Sequence, residues 1–470
     1  MEARETVLVD IIKKVLSVVD AVENGAAGGA STLPEGVFSS MEKAIEASVI
    51  AQQEYMKCTL NDRARFIEAM RRELSIDENT EKMARMAVEE TGMGNFEHKC
   101  IKNRLAINKT PGLEDLRTDA FTGDDGLTLV EYSPFGVIGA ITPTTNPTET
   151  IICNSIGMLA GGNSVVFSQH PRANKVSQFV VSIINKALRE AGAPPNLVTT
   201  ISNPTMEEAS VLMKHPAIRL LCATGGPGVV NAVLASGKKA IGAGAGNPPV
   251  LVDETADIEK AARDIVDGAS FDNNLPCISE KEVIVVDSVA DYLIFNLQKY
   301  GAQMLDMETV AALQKLVLTD KGKPNPDFVG KSAKYLLEQL GVPGAPDTRV
   351  LIFETDRDNI FVNEEMMMPI LPIVRVEDVD EGIDLSIKVE AGRRHTAIMH
   401  SKNVDKLTKM GKLIQTTIFV KNGPSYAGIG VGGEGYTTFT IAGPTGEGLT
   451  SAKTFCRKRR CVLVGAFEIK

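Results

Sequence analysis

Residues 136–201, GVIGAITPTTNPTETIICNSIGMLAGGNSVVFSQHPRANKVSQFVVSIINKALREAGAPPNLVTTI, decide the fold. Short apolar runs at 136–142, 164–168 and 197–201 read as strands. Between the last two, 174–192 carries apolar residues at helical spacing and reads as an amphipathic helix. The alternation continues downstream, where helices at 205–215, 228–236 and 258–269 separate strands at 218–223, 249–252 and 283–286. Upstream, 44–72 and 75–91 read as long helices, and 126–132 (GLTLVEY) alternates like a half-exposed strand. Strands alternating with helices imply an α/β fold, a mostly parallel sheet covered on both faces. Ligands of such sheets bind beyond the carboxyl ends of the strands.

The 470 residues suggest about three folding units at ~150 residues each. Hydrophobic residues at 43% and charged residues at 23% are an ordinary globular balance. Aromatics are 5% and Trp is absent, which argues against a base-stacking surface. The net charge of -10 repels phosphate backbones, so no nucleic-acid partner is expected. No apolar run reaches the ~20 residues of a membrane span, so no membrane partner is expected either. Seven cysteines, an odd number without C-x-x-C, read as reduced thiols in the cytoplasm; H-E-x-x-H is also absent, and no metal is expected.

The first residues form a separate object. Leu8, Ile11, Ile12, Val15 and Val19 make one apolar stripe along a helix over 1–21. A Gly/Ala/Ser-rich linker follows over 22–36. A secretory signal is excluded by Asp10, Lys13 and Lys14 inside the apolar region. The helix either packs on the body or docks, on its tether, in a partner's groove. The loose linker favours docking, because a helix of the body rarely needs ten loose residues behind it.

Two glycine clusters punctuate the α/β region. Gly225-Gly226-Pro227-Gly228 stands between a strand and a helix, and reads either as a tight turn or as a cradle for an anionic group. Gly242-Ala243-Gly244-Ala245-Gly246 has the same two readings. Cys277 lies on a polar loop fixed by Pro276, whereas Cys153 and Cys222 lie in apolar runs. An accessible thiol is expected there, and Cys277 is the best nucleophile candidate of the seven.

With these segments in place, the chain resembles the aldehyde dehydrogenase superfamily from about 38 to 470. More closely, it resembles the coenzyme A-acylating aldehyde dehydrogenases of bacterial microcompartments, the ethanolamine- and propanediol-utilisation type. The matching blocks stand in order: PFGVIGAITPTTNPTET (134–150), GNSVVFSQHPRA (162–173), ATGGPG (223–228), NNLPC (273–277), EEMMMPILP (364–372) and IAGPTGEGLTSAKTF (441–455). The resemblance implies a dinucleotide-binding domain over 37–121 and 136–242 and a catalytic domain over 243–440. It implies a bridging element over 122–135 and 457–470 that joins subunits into a homodimer or homotetramer. NAD is the implied cofactor and coenzyme A the co-substrate. Acetaldehyde and propionaldehyde are both open as substrate.

The resemblance also assigns roles. Cys277 matches the nucleophile that forms a thiohemiacetal and then an acyl-thioester. Thr145 stands where hydrolytic relatives carry the oxyanion-binding Asn, and Asn146 stands one later; which of the two faces the oxyanion stays open. Thr142, Ser168, His170, Pro171, Thr224, Gly225, Gly226, Gly242 and Glu365 fall in cofactor-binding segments, with Glu365 on the nicotinamide ribose. Gly242 occupies the place of the general-base Glu of hydrolytic relatives. General-base assistance is worth roughly 10²–10⁴ in rate, so a thiol rather than water is expected to resolve the acyl-enzyme. The missing side chain is also expected to leave room for the pantetheine arm. The rivals are a hydrolytic aldehyde dehydrogenase releasing a free acid and an inactive scaffold of the same fold. His395 and His400 read as structural, Glu280 as a surface or ion-paired residue, and Arg457-Lys458-Arg459-Arg460 as a solvated charge run or a contact for coenzyme A phosphates. The 1–20 stripe resembles the helices that direct enzymes to a microcompartment shell protein.

Overall fold

The computed structural model describes residues 33–469, so the helix expected over 1–21 and most of the linker expected over 22–36 lie outside the described residues. The first of two large sheets is six-stranded and parallel, in the order Val37–Phe38, Val198–Ile201, Ser164–Ser168, Val137–Ile141, Ile218–Thr224, Lys239–Ala243. From Val137–Ile141 the chain builds outward to one edge, then returns through Ile218–Thr224 to build the other. That reversal opens a crevice beyond the strand ends. Helices cover both faces, which is why the central strands are apolar throughout. On one face Met41 and Ile45 of Met41–Tyr55 pack with Leu212 of Met206–Lys214 over Val166 and Leu221. On the other, Ile151 and Ile156 of Pro147–Ala160 pack with Ile184 of Asn174–Glu190 and Phe66 of Leu60–Leu74.

The second sheet is seven-stranded and parallel, in the order Ala302–Met304, Val350–Glu354, Ile370–Val376, Glu282–Val286, Pro249–Val252, Thr396–His400, Ile418–Lys421. Helices Ile258–Ser270 and Asp287–Lys299 cover one face through Ile265 and Leu293. Helices Val379–Glu390 and Val404–Leu413 cover the other through Ile383 and Met410. A three-stranded antiparallel sheet stands apart, with Gly126–Pro134 between Asp119–Gly123 and Cys456–Val464. Arg457 to Arg460 lie exposed along its last strand. Among the described residues no helix is long and apolar enough to cross a membrane.

Two differences from the sequence reading have local causes. The helix expected over 44–72 is two helices, Met41–Tyr55 and Leu60–Leu74. Thr59 restarts it with a capping box: its Oγ1 accepts from the Asp62 amide, and the Asp62 carboxylate accepts from the Thr59 amide. Helix Pro147–Ala160 falls where apolar spacing marks no element. Every one of its residues is buried, so it has no polar face to make a stripe.

Candidate active site

The first sheet ends at Ala243, and residues 244–248 carry the chain directly into the second sheet at Pro249. The carboxyl edge of one sheet therefore meets the amino edge of the other. Thr142 follows one of the two strands that flank the reversal, and Thr224 ends the other, with Gly225 and Gly226 just beyond it. On the other side, Gly246, Cys277, Glu365 and His395 each precede a strand of the second sheet. They converge tightly. A Cβ on Gly246 would lie 2.5 Å from the Cys277 carbonyl oxygen and 2.9 Å from the His395 ring. The Gly246 amide donates to Glu365 Oε1 at 3.3 Å.

The loop that delivers Cys277 is strained and pinned. Asp272, Asn273 and Asn274 all take left-handed backbone, with φ of 50°, 55° and 64°. Such positions cost about 1–3 kcal/mol each and persist where surrounding structure over-determines them. Here the Asp272 amide donates to His98 Nδ1, and Asp272 Oδ1 accepts from the Asn95 amide. Asn273 Nδ2 donates to the Gly94 and Gly330 carbonyls. Asn274 Nδ2 donates to the Ala269 and Glu280 carbonyls.

Cys277 is half-buried rather than openly accessible. Burial, and then the Glu365 carboxylate, push its thiol up to about 12, while Lys281 and Lys102 work the other way. Glu280, read from sequence as a surface or ion-paired residue, is fully buried. Its carboxylate accepts from the Ser425 amide and hydroxyl, each at 2.7 Å, and burial pushes it up to about 7.

Thr145 and Asn146 lie at the start of helix Pro147–Ala160, beside a buried ionic cluster. Lys102 Nζ donates to Asn146 Oδ1 at 2.6 Å, to Asp272 at 2.5 Å and to Glu149 at 2.9 Å. Lys99 Nζ reaches Asp272 Oδ2 and the Thr145 carbonyl, each at 3.2 Å. Lys99, Lys102, Glu149 and Asp272 are all fully buried. Burial opposes the Lys102 charge, but Asp272 and Glu149 outweigh it and hold the ammonium above the ordinary lysine value. Burial likewise opposes the Asp272 charge, and the two lysines outweigh it. No sequence spacing announced this cluster, because its members come from three distant segments.

The opposite side fits a dinucleotide. Thr142 is buried and its Oγ1 has no hydrogen-bond partner, an orphan donor at the crevice. Its amide donates to the carbonyl of Ser168, itself buried; His170 and Pro171 follow on the surface. Thr224 Oγ1 shares a 2.8 Å hydrogen bond with Thr440 Oγ1. A Cβ at Gly226 or Gly228 would meet nothing within 4 Å, so there is open space beside the chain at the start of helix Pro227–Leu234. Gly242 differs: a Cβ there would lie 2.8 Å from Val230 Cγ1 and 3.6 Å from Thr445 Cγ2. The room expected at that position for a pantetheine arm is thus filled by Val230 and Thr445.

His395, read from sequence as structural, lies inside this site. Its Nδ1 is 2.9 Å from Thr396 Oγ1, and its buried Nε2 has no partner. Burial, with Lys281 and Arg393, pushes it down to about 3, so the ring is neutral at physiological pH. The signal that finds it is topological: it precedes the strand paired with Pro249–Val252. His400, at the far end of that strand, does not join the group.

Residues 20–314 match the model described as the aldehyde dehydrogenase family. The chain is 52% identical, over 98% of both sequences, to a propanal dehydrogenase (CoA-propanoylating) of Citrobacter freundii. It is 65% identical to a Rhodopseudomonas palustris propionaldehyde dehydrogenase solved with bound CoA and an acylated cysteine. That match covers 93% of this chain and 99% of the other, with a TM-score of 0.92. A propionaldehyde dehydrogenase from the Clostridium phytofermentans fucose utilisation bacterial microcompartment is 53% identical, covering 93% and 100%, with a TM-score of 0.91. Solved variants of that enzyme replace one cysteine and one histidine by alanine, 118 residues apart. Cys277 and His395 stand at the same separation.

Proposed function

The chain belongs to the aldehyde dehydrogenase family, and from that premise we propose that it oxidises a short-chain aldehyde to its coenzyme A thioester, with NAD as hydride acceptor. Propionaldehyde is the first substrate to try and acetaldehyde the second. The Cys277 thiolate adds to the aldehyde carbonyl and gives a thiohemiacetal. Lys281 and Lys102 favour the thiolate electrostatically. Thr142, Ser168, His170, Pro171, Thr224, Gly225, Gly226, Gly242 and Glu365 hold the dinucleotide, whose nicotinamide when bound supplies the hydride acceptor. Loss of hydride leaves an acyl-thioester on Cys277. The oxyanion formed on the way needs donors, and the Cys277 amide with Asn146 or Thr145 supplies them.

The observation that carries this reading is the glycine at 242. No carboxylate stands there to deprotonate water, and Val230 fills the place a side chain would take. A thiolate attacks a thioester without such help, so coenzyme A resolves the acyl-enzyme and regenerates Cys277. The test is NADH formation from propionaldehyde with and without coenzyme A. About one equivalent per subunit should form without it, and steady turnover should begin on its addition. Rapid steady acid production without a thiol would favour the hydrolytic rival, and no NADH in either case the scaffold.

We assign residues 37–121 and 136–242 to dinucleotide binding, 243–440 to catalysis, and 122–135 with 457–470 to joining subunits of a homodimer or homotetramer. We also infer that residues 1–20 dock on a shell protein and place the enzyme in a microcompartment.

A further inference from the structure

The geometry points to Lys102 as the positioning residue of the acyl-transfer site: its ammonium fixes the Asn146 amide so that Nδ2, and not Oδ1, is presented to the reacting carbonyl oxygen. This rests on the reading of Cys277 as the nucleophile. An ammonium has three N–H donors and no acceptor. Those of Lys102 go to Asn146 Oδ1, Asp272 and Glu149, so none is spare. The Asn146 atom facing it must be the carbonyl oxygen, because the amide nitrogen would bring donor against donor. The amide has only two ends, so its Nδ2 points the other way. One Nδ2 hydrogen goes to Thr145 Oγ1 at 3.2 Å, and the second remains for substrate. Hydrogen bonds thus run in one direction, from Lys102 to Asn146 to Thr145. The Thr145 hydroxyl accepts from Asn146 and keeps its own O–H, so Asn146 is the donor whose orientation Lys102 sets directly.

The same ammonium holds Asp272, which opens the left-handed run five residues before Cys277. One buried cation therefore ties the Asn146 segment to the nucleophile's loop and sets the spacing between donor and sulfur. Buried ion pairs are weak stabilisers, since desolvation offsets much of the attraction. What this cluster contributes is register. Lys99 secures the same join one helical turn away, through Asp272 and the Thr145 carbonyl.

The experiment is a mutant cycle read in kcat, KM for propionaldehyde and melting temperature, with coenzyme A and NAD saturating. Asn146→Ala should lower kcat by about 10²–10³-fold, the usual loss of one oxyanion donor, with KM little changed. Lys102→Met should lower kcat in the same direction. Where Lys102→Met alone fails to fold, Lys102→Met with Glu149→Gln removes one charge of each sign and takes its place, with Glu149→Gln as control. Added to Asn146→Ala, either Lys102 variant should cost kcat much less than it does alone, because the group it orients is gone and only its hold on Asp272 is left to lose. Multiplying losses would overturn the proposal, as would a Lys102 variant that lowers the melting temperature and leaves kcat intact. An inert Asn146→Ala would overturn it too. The functional reading is judged separately, by coenzyme A-dependent NADH formation in the unsubstituted enzyme and its loss in Cys277→Ala.

Discussion

At the scale of single residues, reactivity turns on a thiol whose surroundings hold its proton. With Cys277 pushed up to about 12 by burial and Glu365, the free protein carries little thiolate at neutral pH. The thiolate is the reactive form. Alkylation of Cys277 by iodoacetamide should therefore be slow at pH 7 and rise about tenfold per pH unit up to pH 10. Adding NAD should speed it, because a cationic ring near the sulfur favours the thiolate. Cys277→Ala should remove the alkylated peptide at that position and the coenzyme A-dependent turnover, while the exposed Cys461 still reacts. Fast, pH-independent labelling at pH 7 would show that the sulfur is already ionised. Cys277 stands out as the candidate in sequence, because a proline-fixed polar loop distinguishes it from Cys153 and Cys222. Its enclosure was not legible there, because Gly246, whose backbone packs against it, arrives from another strand. The place of His395 was hidden for the same reason: only sheet order shows which end of its strand faces the site.

At the scale of elements, the Cys277 loop is held by a carboxyl group whose proton folding binds more tightly. Glu280 joins this loop to Ser425 and packs on helix Ile258–Ser270 where Gly268 has no side chain; a Cβ there would lie 2.1 Å from its oxygen. Burial raises it from 4.5 to about 7. Below pH 4.5 the group is protonated in both folded and unfolded chains. Between there and pH 7 the unfolded chain releases the proton and the folded one keeps it. The group's stabilising contribution is therefore lost as pH rises through about 7. At about 1.4 kcal/mol per unit this amounts to some 3 kcal/mol. Relative to the wild type, Glu280→Gln should gain up to about that much unfolding free energy between pH 5 and pH 8, read by urea denaturation. A difference that stays constant across that range would mean the carboxyl is ionised throughout. Elements with two faces were legible in sequence, since 174–192 and 258–269 show their stripes. Pro147–Ala160 was not, because a helix buried all round has no periodicity to read. The break at Thr59 was hidden inside an otherwise helical pattern, with Thr59 and Asp62 its one written sign.

At the scale of the whole molecule, the proposed tasks of the body and of the 1–20 segment are separable. The body is tied together without that segment: the strand at its start, Val37–Phe38, pairs with Val198–Ile201, and Arg189 reaches Glu35 at the linker's end. The proposed site draws on residues from Lys102 to His395, all well past the linker. The stripe of Leu8, Ile11, Ile12, Val15 and Val19 offers apolar side chains worth about 1.5–3 kcal/mol each when fully buried. Two or three of them docked on a shell protein make a weak contact. Several copies on one oligomer strengthen it without any new interaction, provided the linkers let them bind together. The Gly-rich stretch Glu23 to Thr32 is flexible enough in composition to allow that. Deleting residues 1–20 should therefore leave kcat, KM and melting temperature unchanged and abolish co-sedimentation with purified shells. Ile12→Glu should act likewise, since it places a charge in the stripe at little cost in helix propensity. A fluorescent protein fused to residues 1–20 should sediment with shells, and more strongly when the fusion is made multivalent. If deletion instead lowers the melting temperature or slows turnover, the helix is part of the body's own packing and the shell is reached by some other surface.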